Sequence, residues 1–123
     1  MGMTFFKQTE TFNLKCITVP KTIDAQKRLD YDECFDVDLV EFNMTNEEYA
    51  SLDKTEVFTI LNEALSINID EYEDESIFDP VMIHKAKMLV EGMLYSKHSL
   101  LLAMLLSQIK KAEESKTGVY FFF

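Results

Sequence analysis

Seventeen carboxylates lie between residues 30 and 79, and Lys54 is the only Lys or Arg among them, so this stretch carries a net charge of −16. Carboxylates at this density offer three kinds of chemistry: acid–base catalysis, cation coordination, and electrostatic recognition of a basic surface. Catalysis by paired carboxylates needs a substrate cleft, and for sugars it needs stacking aromatics; the chain has no Trp. Two places in the block could hold a cation by their spacing. On an extended strand Asp36 and Asp38 would lie about 7 Å apart on one face, close enough to hold a cation, but no third ligand is fixed beside them in sequence, so solvated aspartates are the simpler reading. Counted as a calcium loop from Asp70, the sixth position is Glu75 where Gly is required and the twelfth is Val81 where Glu is required, so the EF-hand pattern fails.

The other chemistry-bearing residues are sparse. His84 and His98, fourteen positions apart, would be separated by about 21 Å on one helix, too far to share a metal. Ser96, His98 and Ser99 are neighbours in sequence, which is not the spatial arrangement of a catalytic triad. Cys16 and Cys34 are the only cysteines and read as reduced, buried small hydrophobes. There is no Gly-rich phosphate loop, Cys-x-x-Cys, His-Glu-x-x-His or Gly-x-Ser-x-Gly, hence no expected enzymatic activity, cofactor or metal. Nucleic-acid binding calls for a basic face that releases counterions. Residues 1–29 and 80–123 each carry only +3, so none is expected. What remains is recognition. Either the acidic block is a solubilising surface, or it faces something cationic.

The elements that must position these acids follow from periodicity. Residues 11–19 read as a strand ended by Pro20, with Phe5 and Phe6 as a short preceding strand or its packing. A helical turn capped by Thr22 covers residues 22–29. Residues 33–42 read as the clearest strand, with Phe35, Val37 and Leu39 inward and Asp36 and Asp38 in water. Thr45 and Glu48 form a capping box for a short helix to Leu52. Asp53 and Glu56 repeat the signal for a helix over 54–67, with Val57, Ile60, Leu61, Ala64 and Leu65 as its apolar stripe. Residues 68–79 form an acidic loop in which Tyr72 and Phe78 either anchor a partner or tuck the loop onto the domain.

Asp79-Pro80 starts a long helix. It should break near residues 95–99, with Ser96 or Ser99 capping the next helix. The run 100–106 is apolar all round and should be central, and Met82, Met88, Met93 and Met104 read as core filler. Gly118 stops that helix, and residues 119–123 return as a strand paired in the sheet. The expected fold is therefore α+β: a single domain over 1–123 in which a small mixed or antiparallel sheet packs against three to four helices. The longest apolar run is far shorter than the ~20 residues of a membrane span, and residues 1–7 lack the features of a secretory signal. A cytoplasmic protein with no membrane segment is expected.

Small size, acidity, cytoplasmic character and the lack of a catalytic motif together resemble a bacterial immunity protein, the neutraliser of a nuclease toxin of contact-dependent inhibition or colicin type. The resemblance is one of general character over the whole chain, without a specific motif. It implies a one-to-one complex in which carboxylates occupy the toxin's phosphate-binding surface, with fast, salt-sensitive association. The contact candidates are Asp36, Asp38 and Glu41 of the 33–42 strand, and Asp70, Glu71, Tyr72, Glu73, Asp74 and Glu75 of the loop. The alternative class is a structural or adaptor protein, phage-type or self-associating, with residues 121–123 and 100–106 feeding an oligomer interface.

Overall fold

β-branched and aromatic residues near the two ends of the sequence meet in one sheet. The computed structural model describes residues 15–31, 33 and 36–123, the side chain of Asp36 aside. Four strands, β1 (Lys15–Pro20), β2 (Leu39–Met44), β3 (Glu75–Ile77) and β4 (Val119–Phe122), pair antiparallel in the order β2-β1-β4-β3. Among the described residues there are five α-helices: α1 (Ile23–Asp30), α2 (Asn46–Asp53), α3 (Val57–Leu65), α4 (Pro80–Lys97) and α5 (Leu100–Ser115). The result is a single small α+β domain, with the antiparallel form of the expected sheet. No helix among the described residues is long and apolar enough to cross a membrane.

The expected C-terminal strand holds a central place. Phe121 of β4 pairs with Ile17 on one side and Glu75 on the other, so both of its edges are satisfied. Ile17, Val19, Phe42, Met44, Ile77, Val119 and Phe121 project from the inner face into one core. Leu52, Val57, Phe58 and Leu61 meet them from α2 and α3, Ile83, Ala86 and Val90 from α4, and Leu102, Leu105, Ile109 and Ala112 from α5. Tyr49, Phe58, Phe121 and Phe123 form a ring cluster with centroids 4.9–6.4 Å apart. Buried Gln108 straps α5 to the sheet, its Nε2 donating to the carbonyls of Ile17 (2.8 Å) and Val40 (2.9 Å).

Local signals set most boundaries. Thr22 caps α1 by accepting from the amide of Ala25. Thr45 and Glu48 close the capping box of α2. Asp79 and Pro80 start α4. His98 turns left-handed to end α4, and Ser99 caps α5.

Five expectations are corrected. First, the 33–42 strand begins later. Residues Asp36–Asp38 form a 3-10 turn, and β2 turns Phe42 and Met44 inward, leaving Val37 74 % exposed. The amide of Lys21 donates to the carbonyl of Asp38 at 2.8 Å, which holds this turn at the end of β1 and starts the ladder at Pro20 opposite Leu39. Second, α3 is shorter than 54–67. Thr55, rather than Asp53, accepts the amide of Val57, and Glu56 is left-handed with φ 70°. Third, the 100–106 run is not buried all round. Leu102, Leu105 and Leu106 are buried, but the sheet covers one side only, so Leu100 and Met104 face solvent. Met88 is likewise exposed, and among the described residues the fully buried methionine is Met44. Fourth, Lys116, not Gly118, ends α5 in the left-handed region. Gly118 serves a close approach, since a Cβ there would lie 2.8 Å from the Cβ of Phe78 and 2.9 Å from the carbonyl oxygen of Ile77. Fifth, Cys16 is half-buried rather than buried. It is a free thiol with its Sγ 3.0 Å from Thr18 Oγ1, and burial raises its pKa. Cys34, Phe35 and residues 1–14, including the N-terminal part of the 11–19 strand, lie outside the described residues.

Candidate functional site

The two sets of candidate acids stand at opposite edges of the sheet. β2 and β3 are separated by β1 and β4, three interstrand spacings or about 14 Å. No single strand face gathers them.

At the β2 edge the expected pair of wet aspartates does not exist. Asp38 is buried, and its carboxylate accepts from Arg28 through both oxygens, Nε to Oδ2 and Nη2 to Oδ1, each at 2.8 Å. Bidentate pairing matches the planar guanidinium to the carboxylate and fastens α1 to the start of β2. Asp36 sits in the same 3-10 turn rather than on a strand. Glu41 is exposed on the outer sheet face, opposite Thr18. Of this set Glu41 has the position expected of a surface acid.

At the β3 edge the acids divide between two tasks. Asn62 of α3 clamps the loop by accepting from the amide of Ile69 (2.7 Å) and donating to its carbonyl (3.2 Å). Ile69 is thereby buried as the loop's apolar anchor. Asp70 folds the loop on itself: Oδ1 accepts from the amides of Tyr72 (2.9 Å) and Glu73 (3.1 Å), and Oδ2 from the side chain of Asn68 (2.7 Å). These donors, the Tyr72 amide foremost, hold the Asp70 carboxyl below the usual aspartate range. Glu75 closes the other end by accepting from the amides of Asn68 and Ser76, both at 2.9 Å. With the backbone amides satisfied from within, Tyr72, Glu73 and Asp74 project outward, Tyr72 89 % exposed. Neither Tyr72 nor Phe78, itself exposed, tucks the loop onto the domain; Ile69 and Ile77 do that.

Glu71 turns toward α2 and pairs with Lys15 at 3.2 Å. Lys15 also lies 5.2 Å from the ring centroid of Tyr49 and donates to the main-chain oxygen of Phe123. Between the loop and α2 opens a cleft of about 470 Å³, lined by Lys15, Asn46, Tyr49, Ala50, Asp53, Lys54 and Glu71. The Tyr49 hydroxyl is pushed up to about 12 by burial first, then by Asp53, Glu71 and Asp70. Asp53 of α2 therefore lines the same negative surface as Glu71. In the sequence Glu48 and Asp53 read as helix-capping groups. The available signal was the spacing of Tyr49 and Asp53, one helical turn apart, which puts an aromatic and an acid on one face.

The chemistry open to this surface is the attraction of cations. Among the described residues no group of three or more His, Cys, Asp or Glu side chains is arranged to hold a metal. Ser96 donates to the carbonyl of Met93, Ser99 caps α5 and His98 ends α4, so these three residues are taken up by helix ends. His84 and Lys87 of α4 both meet Glu113 of α5, at 2.9 and 2.6 Å. The Lys87 contact, followed by His84, holds the Glu113 carboxyl below its usual range. This triad braces two helices. No family model, curated protein or solved structure matches the chain.

Proposed function

We propose that this protein is a non-enzymatic, cytoplasmic inhibitor that binds and neutralises a basic protein, with a nuclease toxin as the partner best suited to it. The observation that carries the reading is the tip of the β3-edge loop: an exposed Tyr72 followed by the exposed carboxylates of Glu73 and Asp74, on a backbone tied down by Asp70, Glu75 and Asn62. A loop ordered before binding avoids part of the entropy cost of association. An aromatic among like charges suits a partner whose cationic groups surround a small apolar contact. The excess charge also remains available. Among the described residues only Asp38 and Glu71 of the acidic segment form ion pairs within the fold. A second reading, the self-associating adaptor, is favoured by the apolar residues exposed on α4.

The test is capture of a toxin encoded next to this protein, followed by kinetics with three variants confirmed to be folded. Glu73→Lys with Asp74→Lys should weaken binding about tenfold or more, mainly through slower, less salt-sensitive association. Tyr72→Ala should act through faster dissociation. Glu41→Lys, at the opposite edge, should leave binding near wild type. Wild-type affinity in the folded double variant sinks the proposal.

A further inference from the structure

The two free edges of the sheet are finished differently. The amide of Lys21 donates to the carbonyl of Asp38, and bonded and non-bonded pairs alternate along an antiparallel ladder. In the register of β1 and β2 the bonded pairs are therefore Val19–Val40, Ile17–Phe42 and Lys15–Met44. Gln108 agrees with this, since it bridges the carbonyls of Ile17 and Val40 across the gap between the two strands. The amides and carbonyls of Glu41 and Asn43 consequently point away from β1, out of the free edge. Among the described residues nothing bonds to them. On β3 the same alternation turns the amide of Ser76 outward, but there the Glu75 carboxylate accepts it at 2.9 Å. Exposed edges are ordinarily blunted by Pro, Lys, a bulge or shortness. β3 has three residues and a carboxylate over its amide, whereas β2 has six residues in unbroken register and none of these devices.

Free donors and acceptors on every second residue are matched by another extended backbone, so such an edge takes a strand. A groove of about 230 Å³ lies beside it, lined by Glu41, Phe42 and Asn43 of β2 and Met104, Ser107 and Gln108 of α5. A strand laid antiparallel along β2 would sit about 4.8 Å outside it, with side chains alternating between the two faces. The side chain opposite Phe42 falls into the groove against Met104, which is 41 % exposed. Those opposite Glu41 and Asn43 lie on the outer face, where both residues are exposed. The groove position suits an apolar residue. The outer positions suit a cation, because Glu41 is the only charged residue of β2 and Glu47 follows it at the start of α2. Opposite charges directly across a strand pair attract, and like charges repel. A second copy of β2 would bring a second Glu41 and a further −10, so charge selects a different chain.

We infer that the free edge of β2 is a strand-addition site for an extended segment of another protein, one in which Lys or Arg alternates with apolar residues. It uses no residue of the acidic loop and stands independently of the toxin-binding proposal.

The probe is a labelled hexapeptide in which Lys alternates with Val, followed by fluorescence anisotropy and by amide NMR. In the free protein the amides of Glu41 and Asn43 should exchange quickly with solvent while those of Val40 and Phe42 are protected, and the peptide should protect Glu41 and Asn43 as well. In this register the Lys backbone nitrogens face β2 and the Val nitrogens face away. Methylating the Lys nitrogens should therefore weaken binding about tenfold or more, whereas methylating the Val nitrogens should leave it unchanged. Attraction of the peptide's charge alone would not separate the two. Glu41→Lys should weaken binding about two- to fivefold and favour a peptide with Glu in place of Lys. Asn43→Pro removes an outward amide that the ladder to β1 does not use, a position where an edge strand tolerates Pro, and should also lose about tenfold or more. Met104→Lys, at a solvent-facing position of the groove, should weaken binding several-fold and serves as the protein-side test if the proline variant does not fold. No binding by the wild type, equal affinity for the two methylated peptides, resonance shifts confined to residues 68–79, or an edge already protected by self-association overturns the inference.

Discussion

The β2 and β3 edges of the sheet are written alike, as carboxylates interleaved with apolar residues, yet they treat those carboxylates differently. At the β2 edge Asp38 is drawn inward by Arg28, ten residues earlier on α1, and becomes part of what holds the fold. At the β3 edge the only Lys or Arg paired with the loop, among the described residues, is Lys15, and it takes Glu71. The remaining loop acids then satisfy backbone amides, as Asp70 and Glu75 do, or point outward, as Glu73 and Asp74 do. The difference lies in the donors within reach rather than in the acids. A carboxylate beside a distant guanidinium is structural, and one beside its own loop amides shapes the loop. One with neither is left for solvent or a partner.

Breaking the contrast at its strongest point should give the largest effect. Asp38→Asn or Arg28→Ala removes one side of a bidentate pair. Loss of one partner of a fully buried pair costs about 3–5 kcal/mol. Arg28 is partly exposed, with 37 % of its side chain accessible, so about 2–3 kcal/mol is expected here after allowing for solvent screening. Glu73→Gln and Asp74→Asn should stay within about 0.5 kcal/mol of wild type. Urea denaturation of the four variants measures this. Equal costs at the two edges would erase the distinction between structural and free carboxylates.

That distinction marks where the sequence stops being informative. The capping box at Thr45 and Glu48, the Asp79-Pro80 start, the break before Ser99 and the strand at the C-terminal end were all legible, because each depends on residues within a few positions of one another. The 33–42 strand was misjudged because its alternation is real but is overruled by a contact from α1 and an amide from Lys21. The exposure of Leu100, Met88 and Tyr95 was equally hidden, since apolarity does not say what covers a residue. At the candidate site the density of acids was plain, but their division of labour was not. It depends on Asn62, a polar residue in the middle of an apolar helix, and on Asn68. The contribution of α2 was hidden for a different reason, since its acids already had a sufficient local explanation as capping groups.

A smaller effect is expected from loosening the β3 edge without changing its outward charges. Asp70→Ala removes the acceptor of two amides and the Asn68 side chain. The loop should fray, speeding proteolysis next to Tyr72 while the core stays folded, with a Tm loss of no more than a few degrees. The pH dependence has a definite sign. The folded-state pKa of Asp70 lies below the usual aspartate value, so its contribution is present above that value and lost as pH falls through the lowered one. Loop protection should therefore decline on acidification in the wild type and be flat, already lost, in Asp70→Ala. Unchanged proteolysis in the variant would assign the loop's order to Asn62 and Glu75 instead.

The smallest and most diagnostic effect is that of salt. Raising ionic strength from about 10 to 200 mM shortens the Debye length from about 30 Å to under 10 Å. Two responses compete: repulsion within the acidic segment is relieved, and the ion pairs are weakened. The pairs that salt can weaken are the exposed ones, each worth about 0–1 kcal/mol. The Arg28–Asp38 pair, with the aspartate side chain only 10 % accessible, is screened least. Against them stands a segment of charge −16 in which, among the described residues, two acids are paired within the fold. Relief of repulsion should win, and the Tm should rise by a few degrees. The rise should come from the free acids, so Glu73→Gln with Asp74→Asn should reduce it, whereas Asp38→Asn should lower the Tm at every salt concentration without flattening the slope. A Tm that is flat or falls with salt would mean that pairing across the fold already neutralises the segment. The β3 edge would then hold no more uncommitted charge than the β2 edge.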